Sequence, residues 1–365
     1  MNRVRSLSVA ALLLAPMGFA ALPIFAPPPS PLSAAQTQPA TPALVHAVAS
    51  IGITVSDLDK AVEFYTQTLT FKSVAETERF GDEIERLTGV FGVRVRTATL
   101  QLGEETIELS QFLAPEGRAI PQDSRSNDLW FQHIAIVVSD MDKAYATLRE
   151  HKVRHASSGP QTLPAWNTNA AGISAFYFKD PDGHVLEVIH FPQGKGDPRW
   201  QTQSDKLFLG IDHTAIVVAD TQKSLAFYRD LLGMSVAGGS ENSGTEQEHL
   251  NNVFGARLRI TTLKATSGPG VELLEYLSPT TGRPFPADTS SNDLWHWHTA
   301  LTSEAPEAAH RLAKHNVRRV SASADVGTLV HGPFMFRDPD GHALVLHSDK
   351  PSEARGASST SNPSR

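Results

Sequence analysis

Glutamate and histidine side chains occur in this chain inside segments that are otherwise apolar. Glu108 and Glu187 each stand between two aliphatic residues, and His133 alternates with small and β-branched residues along a predicted strand. A buried carboxylate is unfavourable unless it is paired or bound to a metal ion. Carboxylate and imidazole groups together suit a hard or borderline divalent cation. If two or three of these side chains converge, they form a divalent-metal site.

The composition excludes several other kinds of chemistry. The 365 residues include no cysteine, so disulfides, zinc-thiolate sites, iron–sulfur clusters and a thiol nucleophile are ruled out. Lysine and arginine total 32 against 39 acidic residues, a net charge of −7, which argues against nucleic acid as the main partner. A hydrophobic fraction of 40% is typical of a globular protein, and the length predicts about two domains.

The first 45 residues are predicted to lie outside the fold. Two arginines precede a short apolar run and then small residues and prolines, the layout of a secretory signal peptide. Cleavage is expected after Ala20 or Ala35, and residues 26–45 read as a solvated tether. An uncleaved membrane anchor is the alternative, although the run is shorter than the ~20 residues that a span requires. We therefore expect export to the periplasm or the medium, without stable membrane insertion after processing.

The remaining chain contains repeated motifs. Ser-Asn-Asp-Leu-Trp occurs at 126–130 and at 291–295, and Asp-Pro-Asp-Gly-His occurs at 180–184 and at 338–342. The offsets are close to half of the mature chain, which predicts two copies of one domain. The Asp-Pro-Asp-Gly stretches are typical of hairpin turns, and we interpret His184 and His342 as turn residues.

Each copy divides again into two modules. A β-branched strand, an amphipathic helix and three further strands recur, with Asp57, Asp140 and Asp220 at helix N-cap positions. The predicted fold class is therefore α+β, with four βαβββ modules in two domains. The predicted boundaries are 1–45 signal peptide and tether; 46–192 first domain, with modules 46–115 and 126–192; 193–207 linker; 208–349 second domain, with modules 208–279 and 291–349; and 350–365 disordered tail.

The module openings, a strand followed by Ser-Asp or Ala-Asp and, in the first and third modules, by Phe-Tyr, together with the Asp-Pro-Asp-Gly-His hairpin, resemble the vicinal oxygen chelate superfamily. This superfamily includes glyoxalase I, epimerases, extradiol dioxygenases and bleomycin resistance proteins, and the resemblance covers residues 46–349. It implies that paired modules curl into open barrels around one divalent metal ion. It also implies one ligand on the first strand of each module and another on the last.

The resemblance assigns eight ligand positions. Those on the first strands are Ser50, His133, His213 and His298, and those on the last strands are Glu108, Glu187, Glu272 and Val345. Serine and valine have replaced a ligand at two of the eight. If the two middle modules pair across the domains, His133, Glu187, His213 and Glu272 form one complete site and both losses fall in the other, dead site. We favour this crossed arrangement.

The alternative is that each domain closes on itself. It would then give one three-ligand site per domain, with Glu108, His133 and Glu187 in the first and His213, Glu272 and His298 in the second. His347 lies on the face of Val345 and is a candidate replacement ligand. In either arrangement the metal could be Zn, Ni, Mn, Fe or Mg.

The resemblance implies a lyase or isomerase of the glyoxalase or epimerase type. Its substrate would be a small molecule with two vicinal oxygens, and Glu187 or Glu272 would carry the proton. An extradiol-type dioxygenase and a non-catalytic binding protein that sequesters a small molecule are the alternatives. Turnover itself is left open by the sequence. We expect a monomer with an internal pseudo-dimer.

Overall fold

A computed structural model of the protein describes residues 43–303, 312, 314–315, 317–321 and 333–348. The predicted signal peptide, nearly all of the tether and the predicted tail lie outside the described residues. The helices are α1 (Leu58–Gln67), α2 (Asp82–Thr88), α3 (Met141–Glu150), α4 (Thr221–Leu225, continued by a π-helical turn at Ala226–Leu231) and α5 (Thr245–Asn251), with a 3-10 turn at Pro198–Gln201. None of the described helices has the length and apolar character that a bilayer span demands.

The strands account for most of the regular structure. In the first half they are β1 (Ala47–Thr54), β2 (Lys72–Phe80), β3 (Arg94–Leu102), β4 (Glu105–Ala114), β5 (Gln132–Val138), β6 (Arg154–His155), β7 (Gln161–Thr162), β8 (Ser174–Lys179) and β9 (Val185–His190). In the second half they are β10 (Phe208–Val218), β11 (Ser235–Ser243), β12 (Arg257–Lys264), β13 (Gly270–Ser278), β14 (Trp297–Ser303), β15 (Arg318–Arg319), β16 (Phe334–Arg337) and β17 (Ala343–Ser348).

These strands form two sheets, and each sheet takes one module from each half of the chain. The outer-module sheet has the order β15-β16-β17-β14-β1-β4-β3-β2 and joins the first and fourth modules. The middle-module sheet has the order β11-β12-β13-β10-β5-β9-β8-β6, with β7 paired to β8, and joins the second and third modules. The described strands leave both sheets open. The α+β class is confirmed, and the modules pair in the crossed arrangement rather than the self-closed one.

Helices pack together and join the two modules of one half of the chain, which lie in different sheets. Leu58, Ala61 and Tyr65 of α1 are buried in the same core as Ala144 and Leu148 of α3, between the backs of the two sheets. Full burial of a leucine side chain stabilises the fold by about 1.5–3 kcal/mol. Modules of the same half therefore adhere through helices, and modules of different halves through strand pairing.

The predicted helix caps and turns are confirmed. The carboxylates of Asp57 and Asp140 accept from backbone N–H groups three residues on, at 3.1 and 3.0 Å, and Asp220 caps α4 in the same way. In the first hairpin motif, His184 donates from Nδ1 to Asp180 (2.8 Å) and from Nε2 to a backbone carbonyl of the fourth module (2.6 Å). Burial lowers the pKa of His184. The charge of the Asp180 carboxylate and its hydrogen bond with the ring raise the pKa by more, so the pKa lies above its ordinary value.

The Ser-Asn-Asp-Leu-Trp repeat holds the paired modules together. Asp128, whose side chain is only 1% exposed, accepts two hydrogen bonds from the Arg283 guanidinium, at 3.0 and 2.7 Å. That guanidinium also lies 4.7 Å from the centre of the Trp130 ring. The equivalent pair in the outer-module sheet is Asp293 with Arg118. In both cases the aspartate and the arginine come from the two modules that share a sheet.

From the pair of Asp128 with Arg283 we expect that Arg283→Met lowers the free energy of unfolding by an amount that depends on pH. Burial raises the pKa of Asp128, but the hydrogen bonds from the Arg283 guanidinium and from the backbone N–H groups of Arg125 and Arg283 together outweigh it and hold the pKa below the ordinary value of 3.8. The contribution of the pair is thus present above about pH 4 and disappears as the pH falls through the lower folded value. Because Arg283 is itself 38% exposed, we expect a loss of about 2–3 kcal/mol at pH 7, less than for a fully buried pair.

Urea denaturation at pH 7 and at pH 3 measures this effect. The control is Arg257→Met, which removes an exposed pair with Glu241 and should change the free energy of unfolding by no more than about 0.5 kcal/mol. Equal losses in the two variants at pH 7, or a loss in Arg283→Met that is as large at pH 3, would contradict the role given to the buried pair.

Candidate metal centre

The pairing of β5 with β10 brings two histidines together. In this antiparallel pair Ala215 lies opposite His133, and His213 lies opposite Ala135. Residues two apart on a strand share a face, so both imidazoles project from the same face of the sheet. Both are buried, and their ring centroids are 5.9 Å apart.

Two glutamates reach the histidines from the strands on either side. Glu187 of β9 pairs with Ala135, and Glu272 of β13 pairs with Ala215, so each carboxylate lies beside an imidazole. Glu187 Oε2 is 3.0 Å from His133 Nε2 and 3.7 Å from His213 Nε2, and Glu272 Oε2 is 3.4 Å from His213 Nε2. The structure therefore brings all four predicted ligands together. Ligand atoms of His133, Glu187 and His213 lie within 4.8 Å of one another.

A further carboxylate orients His213. Its Nδ1 donates to Asp212 at 2.9 Å, and Asp212 also accepts from Trp200 Nε1 at 2.7 Å. This bond directs Nε2 of the ring toward Glu187 and Glu272, where Nε2 is buried with no hydrogen-bond partner. A carboxylate behind a histidine is the arrangement that fixes the tautomer of metal-binding imidazoles. An unpartnered ring nitrogen that faces two carboxylates is a donor set that suits a divalent metal ion.

The electrostatic environment of His213 favours positive charge. Burial lowers the pKa of this imidazole, but the carboxylates of Glu272, Asp212 and Glu187 raise it to about 10. Burial raises the pKa of the Asp212 carboxyl group, whereas the hydrogen bond and the charge of His213 lower it. The net result is a pKa below the ordinary value. Carboxylates that stabilise an imidazolium also stabilise a metal cation at the same point.

The two glutamates differ in freedom. Glu187 is 6% exposed and lies between the two imidazoles, whereas Glu272 is 18% exposed and accepts a hydrogen bond from the Thr262 hydroxyl at 2.8 Å. Both line a cavity of about 480 Å³ on the face of the middle-module sheet. The cavity gives a small molecule access to the carboxylates and to His213.

The equivalent place in the outer-module sheet lacks this arrangement. Ser50 donates a hydrogen bond to Glu108 at 3.0 Å, and Val345 is buried in an apolar cluster. Burial lowers the pKa of His298, and the nearby Glu108 carboxylate offsets this only in part. A Cβ added at Gly52 would overlap the His298 ring, which occupies the space above the glycine.

Among the described residues, the group of His133, Glu187 and His213 is the one in which three potential ligand atoms come so close. Glu108 and His298 therefore do not form the three-ligand sites of the self-closed alternative. His347, the candidate replacement ligand, belongs to no such group either.

Sequence reasoning missed Asp212 and Thr262. Neighbouring residues on a regular strand point to opposite faces, so Asp212 is not expected to contact His213. An irregularity in the β5–β10 register between Ile211 and His213 allows that contact. Thr262 is opposite Glu272 in the β12–β13 pair, a signal that is visible once the strand register is known.

Comparison with known proteins gives a family match over most of the chain. The model of the family described as "Glyoxalase/Bleomycin resistance protein/Dioxygenase superfamily" matches residues 44–188 and 210–346. A 2-epi-5-epi-valiolone epimerase from Actinomyces sp is 35% identical over 154 residues, which are 40% of this chain and 81% of that protein.

Solved structures share the fold. A glyoxalase I variant from Zea mays superimposes with a TM-score of 0.53 and 16% identity, covering 83% of this chain and 94% of that one. A putative dioxygenase from Bacillus subtilis gives a TM-score of 0.51 and 13% identity, covering 84% and 86%. At these identities the likeness concerns the fold alone.

Proposed function

The chain belongs to the glyoxalase/bleomycin resistance protein/dioxygenase superfamily, and on this basis we propose that it is a metal-dependent isomerase of small oxygenated carbonyl compounds. The observation that carries the proposal is the convergence of two imidazoles and two carboxylates from the middle modules on one cavity. The epimerase relative supports isomerisation over a lyase reaction, because its identity of 35% is well above that of the fold neighbours.

His133, Glu187 and His213 would hold a divalent metal ion, with Glu272 as the fourth ligand. When bound, such an ion supplies Lewis acidity to two neighbouring substrate oxygens and stabilises the negative charge that develops on them. Asp212 keeps the His213 ring in the orientation that points Nε2 into the site. Substrates with two adjacent oxygens, such as α-hydroxy ketones, match this chemistry.

Glu272 is the residue that we assign to proton transfer. It removes a proton from the carbon next to the carbonyl group, the electron pair moves onto the carbonyl oxygen, and the proton returns in the second half of the reaction. It is the more exposed of the two glutamates, and the hydrogen bond from the Thr262 hydroxyl holds its carboxylate at the cavity wall, within reach of a substrate. Glu187, between two imidazoles, stays in place.

We also propose that the activity is exported. This proposal rests on the arginines and the apolar run at the start of the chain. Glutathione adducts and CoA thioesters belong to the cytosol, so an exported isomerase acts on other carbonyl compounds.

The first prediction concerns metal content. Protein purified without chelators should contain close to one divalent ion per chain by plasma mass spectrometry. Glu187→Gln should weaken the affinity for the ion at least tenfold, because the central carboxylate is lost. Glu108→Gln, the equivalent change in the outer-module sheet, should keep one ion. Two ions in the wild type, or none in a protein reloaded with Zn, Ni, Mn, Fe and Mg in turn, would refute the single site.

A second prediction separates proton transfer from metal binding. Glu272→Gln should retain most of its metal, because three ligands remain. Its exchange of carbon-bound substrate hydrogen with solvent should be about 10²–10⁴-fold slower than in the wild type. The measurement is deuterium uptake from solvent into dihydroxyacetone and into 2-epi-5-epi-valiolone, the compound in the relative's name. Glu108→Gln is again the matched control. Exchange at the wild-type rate in metal-loaded Glu272→Gln would remove this residue from the reaction.

A third prediction tests the carboxylate behind His213. Asp212→Asn should weaken metal affinity about 10–100-fold, because the ring loses the charged group that fixes its orientation. Competition with a chromogenic chelator measures this affinity. Asp230→Asn, an exposed aspartate paired with its neighbour Arg229, serves as the control. Unchanged affinity in Asp212→Asn would show that the His213 ring is held by packing alone.

A further inference from the structure

One wall of the cavity carries a buried amide side chain with an unused donor. Asn242 of β11 is 4% exposed and lines the cavity of the proposed active site. Its Oδ1 accepts a hydrogen bond from Asn167 Nδ2 at 2.6 Å. The amide of Asn167 is itself oriented by the backbone N–H of Ala170, which donates to its Oδ1 at 3.3 Å. These bonds commit the oxygen of Asn242 to Asn167, and its Nδ2 makes no hydrogen bond with the described residues.

A second amide on the same wall has an unused acceptor. Gln247 of α5 also lines the cavity and donates from Nε2 to Asn251 Oδ1. Its Oε1 is buried without a partner. A buried amide oxygen without a partner is unfavourable. Of the two amides, Asn242 offers the cavity a donor, which a hydroxyl or carbonyl oxygen requires, whereas Gln247 Oε1 is enclosed.

The internal repeat connects these amides with the metal centre. Helix α5 and its counterpart α2 are both seven residues long and both follow a glycine, Gly244 and Gly81, with φ near +90°. Aligned on these glycines, Gln247 corresponds to Ile84 and Asn242 to Arg79. The outer-module sheet, in which two ligand positions are lost, thus has neither amide at these positions of its first module.

The charges around the cavity restrict what it accepts. Among the described lining residues, Lys264 is the single lysine or arginine, and its ammonium group is paired with Asp197 at 3.2 Å. Asp212, Glu187 and Glu272 add three carboxylates. Away from a bound metal ion, a phosphate or carboxylate on the substrate would meet no free cation on these walls, and burying it there is unfavourable.

We propose that Asn242 is a specificity-determining residue, which donates from Nδ2 to a substrate oxygen, and that the carboxylates of the cavity walls select uncharged, hydroxylated ketones over their anionic derivatives. This inference rests on the proposed function for the location of the substrate, and it adds the class of compound and the residue that recognises it. Asn167 acts through Asn242 by holding its oxygen.

Two probes that differ by one phosphate group test the proposal. Calorimetric titration of the metal-loaded protein with xylulose and with xylulose 5-phosphate compares the same hydroxylated ketone with and without a phosphate. We expect xylulose to bind at least about tenfold more tightly, a difference that corresponds to one lost or unpaired polar contact. Tighter binding of the phosphate ester, or binding of neither probe, overturns the assignment of the substrate class.

Two variants test the residue. Asn242→Asp keeps the acceptor for Asn167 and removes the donor, and Asn242→Ala removes both; each should weaken xylulose binding about tenfold. Arg79→Ala, at the corresponding position of the outer-module sheet, should bind xylulose like the wild type. Thermal unfolding confirms that each variant is folded. Wild-type xylulose affinity in folded Asn242→Asp overturns the role of Asn242.

The same samples distinguish this inference from the proposed function. If metal binds and solvent deuterium enters the xylulose carbon skeleton, but Asn242→Asp binds normally, the isomerase stands and the specificity residue falls. If Asn242→Asp loses affinity while the wild type shows no exchange with any ketone tested, the recognition stands and the isomerase falls.

Discussion

The antiparallel contact between β5 and β10 is the constraint on which the rest depends. Its register places His133 opposite Ala215 and His213 opposite Ala135, so that the two imidazoles share one face. The parallel neighbours β9 and β13 then have no freedom in where their glutamates arrive, because each is fixed by its own ladder. A slip of β5 by one residue would turn His133 to the opposite face of the sheet, away from His213 and the two glutamates.

Buried charge on the loops protects this register. Asp128 and Asp293 sit at the start of the central strands and engage arginines from the partner module of the same sheet. An almost fully enclosed carboxylate without its guanidinium partner is strongly destabilising. Each pair therefore favours the arrangement of modules that brings its aspartate and arginine together. The apolar clusters join modules in both ways: one packs α1 against α3 of the same half, and another packs Phe131 and Tyr177 of the second module against Leu250 of the third. Buried ion pairs and apolar contacts therefore both favour the pairing of modules that the sheets show.

Much of this could be predicted from the sequence because the fold is repeated. The caps at Asp57 and Asp140 follow from local rules, and the alternation around His133 follows from strand geometry. The crossed pairing was indicated by two lost ligands that fall in one site. The contact of Asp212 with His213 was beyond reach, because it depends on a register irregularity that no local pattern announces. The role of Asp128 was also missed, since its arginine lies 155 residues away in the chain.

The absence of a side chain at position 52 limits the substitutions that the outer-module sheet tolerates. The His298 ring fills the space above Gly52, Ser50 is hydrogen-bonded to Glu108, and Val345 lies within an apolar cluster. A ligand introduced at position 50 or 345 alone would meet neighbours that are already paired or packed. An engineered second centre in this sheet would therefore need several concerted substitutions.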